Sequence, residues 1–361
     1  MVRGRDIAAA VEKIAPGGLA ESWDNCGLQA GSLDAPVERV LVALTPLPEV
    51  FDEAEELGAN FLLFHHPLIF GDPLRSVDFG RYPGDLILRA ARAGLTVYAA
   101  HTSYDAAPGG VSVALARALG LEGPLEVVVP AGELRKLVVF VPEENAGELS
   151  DALSAAGAGV IGEYTHCTFR TPGTGTFRGS EHTSPHIGEA GRLEQVAEIR
   201  LETVVPAHLA RRAAAAAAEA HPYEEMAYDL YPVDGHPEGC GYGRTGRLPE
   251  AMTPRRLAEY VSGRLGFPAR LVSDPEPERQ VGRVAVLGGS GGSFIRRVAA
   301  SEAEAYVTGD IRYHEALLAE SLGLPLIDAG HAATELPSLR PLAERLGGLV
   351  DVPVEVSRVR R

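Results

Sequence analysis

Lysine is nearly absent from this chain of 361 residues, in which Lys13 and Lys136 are the two lysines among 33 basic residues. A Walker A loop requires a lysine between a glycine and a serine or threonine. Lys13 follows Glu12 and Lys136 follows Arg135, so neither lysine lies in such a loop. P-loop nucleotide hydrolysis is therefore excluded.

Cysteine is also scarce, and Cys26, Cys167 and Cys240 are too far apart to form a C-x-x-C pair. This spacing argues against a disulfide framework and against a thiolate zinc site. The formal net charge is −16, and the longest basic cluster is three arginines near the C-terminal end. An acidic surface repels phosphate backbones, so nucleic-acid binding is disfavoured, although a small nucleotide held by a metal is not.

Long hydrophobic runs are missing as well. The first residues contain no apolar stretch of signal-peptide length, and no segment approaches 18 uncharged apolar residues. We therefore expect a cytoplasmic protein without a membrane partner. The length itself predicts two or three domains.

Apolar runs typical of buried strands alternate with helical patterns at both ends of the chain. This alternation predicts an α/β domain whose sheet is covered by helices on both faces, in three α/β/α layers. The predicted strands are residues 39–44, 60–64, 96–100, 283–287, 305–307, 325–327 and 352–356, and the predicted helices are residues 48–57, 84–93, 110–119, 293–300, 314–322 and 331–346.

The middle of the chain has a different pattern, in the order β-α-β-β-α-β of a ferredoxin-like unit. We predict a discontinuous α/β domain formed by residues 1–130 and 238–361, with an inserted α+β domain at residues 133–235. Within the insert, the predicted strands are residues 136–141, 160–169, 196–205 and 223–231, the helices are residues 145–156 and 207–220, and an irregular excursion covers residues 171–191.

Histidines and carboxylates follow the predicted strands, at the edge where open α/β sheets hold ligands. His65 and His66 come directly after one strand, and adjacent strand residues point to opposite faces, which suits two neighbouring ions. His101 and Asp105 follow the next strand. One buried and one exposed histidine, and an aspartate bonded to its own turn, are the structural alternatives.

Two further motifs follow strands in the last third. His331 and Glu335 are four residues apart on a predicted helix, a spacing that can present two ligands to one ion or simply form a hydrogen-bonded pair. The glycine-rich residues 288–293 suit an anion cradle, a close-packed turn, or a G-x-S-x-G elbow with Ser290 as a nucleophile. Thr308-Gly-Asp310 is a similar turn at a strand end.

Taken together, these motifs supply three imidazoles and two carboxylates without a thiolate. Such a donor set suits two borderline divalent ions such as zinc, iron or manganese in a site with open positions. The predicted metal ligands are His65, His66, Asp105, His331 and Glu335.

With these residues in view, the chain resembles the GTP cyclohydrolase 1 type 2 family of NGG-interacting-factor-like proteins over essentially its whole length. The outer segments that carry the resemblance are Trp23-Asp-Asn-Cys-Gly27 with Gly31, His65-His-Pro-Leu-Ile-Phe70, His101-Thr with Asp105, Gly289-Ser-Gly291, Thr308-Gly-Asp310 with His314, and Asp328-Ala-Gly-His331 with Glu335. The insert resembles PII and CutA folds through Gly159-Val-Ile-Gly-Glu-Tyr164 with Cys167, Gly175-Thr-Phe177, and His221-Pro-Tyr-Glu-Glu225 with Tyr228-Asp229.

The resemblance implies that Glu335 bridges two ions and that the chain forms a homohexameric ring with its sites facing an internal cavity. Three residues depart from the family pattern: Thr45 replaces an aspartate, Ser103 an asparagine and Gly179 a proline. None of the three removes a predicted ligand, but the first two alter hydrogen bonding around the site.

We therefore expect a metal-dependent hydrolase acting on a small substrate, for which the family name suggests a purine nucleotide. His101, Asp310 and His314 are the predicted proton carriers. Two alternatives remain open: a non-enzymatic metal carrier or regulator that binds a small ligand, and a serine hydrolase built from Ser290, Asp328 and His331.

Overall fold

The computed structural model of the protein describes residues 1–71 and 74–360, and the chain divides into two compact units. Unit 1 consists of Met1–Ala131 and Gly239–Arg361, and unit 2 consists of Gly132–Glu238. The strands are β1 (Gly27–Ala30), β2 (Val40–Ala43), β3 (Phe61–Phe64), β4 (Thr96–Ala99), β5 (Glu122–Pro130), β6 (Leu134–Val141), β7 (Thr168–Phe177), β8 (Glu194–Pro206), β9 (Tyr228–Val233), β10 (Gly241–Met252), β11 (Arg270–Ser273), β12 (Val281–Ser290), β13 (Ala305–Gly309), β14 (Leu326–Asp328) and β15 (Val354–Val356). The α-helices are α1 (Gly4–Ile14), α2 (Pro48–Leu57), α3 (Gly84–Ala93), α4 (Thr102–Ala106), α5 (Val111–Ala118), α6 (Ala146–Ala155), α7 (Ala210–Ala220), α8 (Pro254–Leu265), α9 (Ile295–Ala299), α10 (Tyr313–Ser321), α11 (His331–Glu335) and α12 (Leu339–Gly347).

The first sheet of unit 1 has the strand order β1-β4-β3-β2-β15. Its strands run parallel except β1, which pairs antiparallel with β4. Alternate residues of β2 point to opposite faces: Val40 and Val42 pack with α1 and α12, whereas Leu41 and Ala43 pack with α2 and α3. Both faces of this sheet are therefore covered, which explains the continuous apolar strands.

The second sheet of unit 1 has the order β11-β14-β13-β12-β10-β5, with β12, β13 and β14 parallel. It too is covered on both faces, by α5 and α8 on one side and by α9 and α10 on the other. The mixed α/β class is confirmed, but the single α/β/α sheet expected for this part of the chain was wrong. The strands β5, β10 and β11, which lie outside the predicted elements, extend the second set of parallel strands into a separate sheet.

Unit 2 contains an antiparallel sheet in the order β7-β8-β6-β9. The helices α6 and α7 pack on one face of it, against residues such as Val139 and Leu201. The element order is the β-α-β-β-α-β order expected from the sequence. However, β7 spans Thr168–Phe177 rather than residues 160–169, because an edge strand tolerates Pro172, Gly173 and Gly175.

Two other elements differ from the sequence expectation. The helix expected over residues 331–346 is broken into α11, a 3₁₀ turn at Leu336–Ser338, and α12. Pro337 has no N–H to continue the hydrogen-bond ladder of α11. The strand expected from Tyr223 begins at Tyr228, because the Tyr223 N–H bonds to the ring of His221 in a turn.

Parallel strands end side by side, and this places residues from distant parts of unit 1 at two sheet edges. The residues after β3 and β4 lie at one such edge, and those after β13 and β14 lie at the other. Among the described residues no helix is both long enough and apolar enough to cross a membrane.

Candidate metal centre

Four histidines converge where the parallel strands of unit 1 end. His65 and His66 follow β3, His101 follows β4, and His331 begins α11 just beyond β14. The ring centroid of His66 lies 5.1 Å from that of His65, 5.6 Å from that of His101 and 5.2 Å from that of His331. Both sheets therefore deliver imidazoles to one cluster centred on His66.

Two of these rings are oriented by pure hydrogen-bond acceptors. His65 Nδ1 lies 3.1 Å from the carbonyl oxygen of Ala100, and His101 Nδ1 lies 2.9 Å from the Asp24 carboxylate. Because a carbonyl or an ionised carboxylate has no proton to give, each Nδ1 must donate. The Nε2 atom of each ring is then the nitrogen that can accept or bind a cation.

The other two rings also use Nδ1 for a hydrogen bond to the protein. His331 Nδ1 donates to the Asp310 carboxylate at 2.7 Å, and His66 Nδ1 shares a hydrogen bond of 3.0 Å with the Thr45 hydroxyl. All four rings thus have Nδ1 engaged. Metal-binding histidines are oriented in this way, by a hydrogen bond from the ring nitrogen that does not bind the ion.

The Glu335 carboxylate lies within this cluster and is only 2% exposed. Its oxygens lie 3.0 Å from His66 Nε2, 3.1 Å from His331 Nε2 and 3.4 Å from His65 Nε2. Burial raises the pKa of this carboxyl, but the surrounding imidazoles outweigh burial and hold it well below its ordinary value. Glu335 is therefore a buried anion that imidazole nitrogens approach on three sides.

The electrostatics of the cluster favour cations. Burial lowers the pKa of His65, but the Glu335 and Asp105 carboxylates outweigh it and raise that pKa to about 9. The hydrogen bond with Glu335 raises the pKa of His331 to about 9 against the effect of burial. Burial raises the pKa of Asp105 to about 6. These side chains attract positive charge, whether it arrives as protons or as metal ions.

The ligand atoms form two overlapping groups, each with its members within 4.8 Å of one another. One group is His65, His66 and His101, and the other is His66, His331 and Glu335. Asp105 lies beside the first group, with its Oδ1 atom 3.8 Å from His65 Nε2. The structure thus brings the five predicted ligands together and adds His101 to them.

A metal fits these residues. Within the described part of the chain, His65 Nε2 and Glu335 Oε2 are buried without a hydrogen bond of acceptable geometry. The Nε2 atoms of His66 and His331 lie 3.2 Å apart, where two lone pairs repel unless a cation or a proton lies between them. Imidazole nitrogens and carboxylate oxygens are the donors that borderline divalent ions prefer.

The glycine-rich segment does not form an anion cradle. The strand β12 continues through Ser290, and a Cβ atom at Gly289 would lie 2.5 Å from a Glu335 oxygen. A Cβ atom at Gly292 would overlap the carboxylate of Glu315, which itself repels anions. The glycines therefore provide room for protein side chains, in agreement with the close-packed alternative.

The serine-hydrolase alternative was wrong. Asp328 accepts hydrogen bonds from the Gly330 N–H at 3.0 Å and from Arg270 at 3.0 Å. His331 Nδ1 is directed at Asp310 instead. Ser290, Asp328 and His331 therefore do not form the proton relay that a serine hydrolase requires.

Of the three predicted proton carriers, His101 belongs to the cluster and Asp310 accepts a hydrogen bond from His331. His314 is exposed on α10 and packs against the neighbouring ring of Tyr313, with centroids 5.4 Å apart. The contacts that define the cluster do not include it, and its proposed role in proton transfer stays a prediction.

Asp24 is the site residue that the sequence did not single out. Its side chain is fully buried, and it also accepts hydrogen bonds from the Thr102 N–H at 3.0 Å and from Cys26 Sγ at 3.1 Å. Burial raises the pKa of Asp24, but the hydrogen bonds from His101 and Thr102 outweigh it and lower that pKa. Its place in the Trp23–Gly27 motif was the only feature of the sequence that pointed to Asp24.

The Thr45 hydroxyl is expected to tune the affinity of the centre for metal. A Thr45→Val substitution keeps the shape but leaves His66 Nδ1 without its partner, which should weaken zinc binding about 10–100-fold. Isothermal titration of metal-free protein with zinc measures this change. Thr45→Ser retains the hydroxyl and serves as the control, and equal affinities for the two variants would show that the bond has no influence.

Comparison with known proteins gives matches over the whole chain. A family model described as Duf34/NIF3 (NGG1p interacting factor 3) matches residues 2–361. The GTP cyclohydrolase 1 type 2 homolog of Halalkalibacterium halodurans is 42% identical over 334 residues, covering 92% of this chain and 89% of that protein. The protein of the same name from Bacillus subtilis is 41% identical over 338 residues, covering 93% and 90%.

Solved structures match to the same extent. A Bacillus cereus protein related to NIF3 superimposes with a TM-score of 0.86 and 43% identity, covering 99% of this chain and 97% of that one. A Staphylococcus aureus protein, SA1388, gives a TM-score of 0.75 and 30% identity, covering 99% and 96%. Each match therefore includes the residues of both units.

Proposed function

The chain belongs to the Duf34/NIF3 family, and from this premise we propose that it is a metal-dependent hydrolase that holds two divalent ions in unit 1. One observation carries the proposal: three histidines with Nδ1 engaged present Nε2 to a buried carboxylate, and His101 lies beside two of them. His65 and Asp105 would hold one ion and His66 and His331 the other, with Glu335 shared between them. Zinc, iron and manganese suit these donors.

When bound, the ions would supply Lewis-acid polarisation of the substrate and a water of lowered pKa. The protein groups around them would move protons. His101 presents Nε2 to the cluster while Asp24 fixes its Nδ1 proton, so the ring can take up a proton at Nε2. Asp310, with its side chain 52% exposed, can pass a proton between solvent and His331 Nδ1.

Two exposed aromatic rings beside His101 suit a planar substrate. Trp23 is 58% exposed and Phe70 is 60% exposed, and their ring centroids lie 6.2 Å and 5.9 Å from that of His101. A heteroaromatic ring can pack on either of them while its polar groups reach the cluster. A purine nucleotide, suggested by the name of the relatives, meets this requirement.

The proposed assembly is a cytoplasmic homohexamer, in which unit 2 is an inserted domain of the PII and CutA type. The exposed rings of unit 2, such as Tyr164 at 75% and Phe169 at 68%, support association between copies. Multi-angle light scattering measures the assembly, and a monomer at micromolar concentration would contradict this part of the proposal.

Hydrolysis by the manganese- or zinc-loaded protein is tested on a panel of nucleotides. We expect turnover to fall by at least about a hundredfold in His66→Ala, because this ring belongs to both ligand groups. Arg312→Gln, in the exposed loop before α10, is the control for a nonspecific effect of substitution on turnover. Unchanged turnover in His66→Ala would contradict the hydrolase. Ions that exchange within minutes and pass to a metal-free acceptor, without turnover, would favour the carrier instead.

A further inference from the structure

Unit 2 contains a cavity of about 570 Å³. This volume lies within the range of small-molecule sites. It is lined by β7, β8 and the end of β6, by the loop at residues 178–186, and by residues 223–227. A hydrogen bond of 2.9 Å from the Ser184 N–H to the Glu224 carboxylate connects the loop at residues 178–186 with residues 223–227. Two of the segments that line the cavity are thus joined to each other.

Its floor is the face of the sheet that the helices leave open. In β8, Ile199 and Leu201 pack against α6 and α7, so Glu198 and Arg200 point to the opposite face. Gly173 lies directly across from Glu198 in the register of β7 and β8, and a Cβ atom at this glycine would meet nothing within 4 Å. A glycine backbone beside open space gives a flat floor on which a planar ring can lie.

The walls of the cavity are aromatic. The ring of Tyr223 lies 6.3 Å from that of Phe177 and 6.0 Å from that of His186, measured between centroids. Phe140 lines the same space and carries the guanidinium of Arg200 over its ring at 5.8 Å. Rings in this arrangement favour stacking and edge contacts with another aromatic molecule.

Two polar groups of the cavity need a hydrogen-bond partner or can take one. The Tyr223 hydroxyl is buried and, among the described residues, has no hydrogen bond of good geometry. The Glu198 carboxylate lies near that hydroxyl and lines the cavity. Arg200 is already paired with Glu202 through its Nε atom at 2.7 Å. The Glu198 carboxylate therefore favours a ligand that donates a proton to it.

We propose that this cavity binds a small planar heteroaromatic molecule that bears an amino group or a ring N–H. The ring would lie between Tyr223 and the glycine floor at Gly173. Its N–H group would donate to Glu198, and the Tyr223 hydroxyl would bond to a neighbouring ring atom. Unit 2 would in this way sense a small aromatic metabolite, a function beyond the proposed hydrolysis in unit 1.

The probe for this site is 2-aminopurine, a fluorescent heteroaromatic amine whose emission falls when it stacks on another ring. The full-length, metal-loaded protein is expected to quench it saturably. Glu198→Gln should weaken binding at least about tenfold, because it removes a charge-assisted hydrogen bond. Tyr223→Phe should weaken it several-fold while leaving the fold intact. Glu219→Gln removes the same charge from an exposed position of α7 and should leave the binding of 2-aminopurine unchanged.

A second variant separates a ligand site from an interface. Gly173→Leu adds a side chain whose Cβ atom enters open space and should abolish the component of quenching that Glu198→Gln weakens, whereas Gly147→Leu, at an exposed position of α6, should not. Circular dichroism establishes that both variants fold. The proposal would be overturned if Glu198→Gln and Gly173→Leu both quenched 2-aminopurine to the same extent as the unmodified protein. It would also be overturned if 2-aminopurine did not bind and Gly173→Leu changed the oligomeric state, since a second copy of the chain would then fill the cavity.

Discussion

A Glu335→Gln variant is expected to purify with less than about a tenth of the metal of the unmodified protein, since loss of even an outer partner of a ligand costs about 10–100-fold in affinity. The Glu335 carboxylate lies within 3.4 Å of the Nε2 atoms of His65, His66 and His331. Glutamine keeps the volume but removes the charge that both proposed ions share. Elemental analysis by inductively coupled plasma mass spectrometry measures the loss.

The matched control is Glu344→Gln, which makes the same change on the exposed side of α12. It should keep the full metal content. If Glu335→Gln retained two ions per chain, the carboxylate would not be a shared ligand. If it lost one ion and kept the other tightly, Glu335 would belong to a single site. The melting temperature with and without added zinc separates loss of metal from loss of fold.

Arg244→Met is expected to lower the free energy of unfolding of unit 1 by about 3 kcal/mol or more, because buried acceptors left without a donor cost about 1–3 kcal/mol each. Arg244 is 2% exposed. Its guanidinium donates to the carbonyl oxygens of Gly239, Gly241 and Gly243 at 2.7–2.8 Å. Burial lowers the pKa of this guanidinium to about 10, so it remains charged at neutral pH.

The single tryptophan makes this prediction easy to follow, because Trp23 lies in unit 1 and its emission reports the unfolding of that unit in urea. Arg247→Met changes an exposed arginine of the same strand and should shift the unfolding midpoint little. An Arg244→Met protein as stable as this control would show that the three carbonyls find water or other donors.

The sequence predicted the histidines and the glutamate of the cluster better than the residues that orient them. His65, His66 and His331 could be found because each follows an apolar run that ends at a sheet edge. Asp24 could not, because nothing near it in the chain shows that it will meet His101, 77 residues away. A buried carboxylate of this kind is defined by tertiary contacts and leaves only a short motif in the sequence.

The division of unit 1 into two sheets was missed for a related reason. Apolar strands show that a sheet is buried on both faces but not which strands share it. The antiparallel pairing of β10 with β5 and β12 joins segments far apart in the chain. The helix α8 did carry a local signal, since Thr253 accepts the Arg256 N–H at its start, Pro254 follows, and Gly266 ends it.

The placement of the histidine cluster across two sheets has a consequence for biosynthesis. The ribosome makes His66 265 residues before His331, and β15, which follows both, joins β2 in the first sheet. A nascent chain therefore has no complete cluster until the residues after β14 have left the ribosome. Any ion that takes ligands from both sheets would bind only after both sheets have folded.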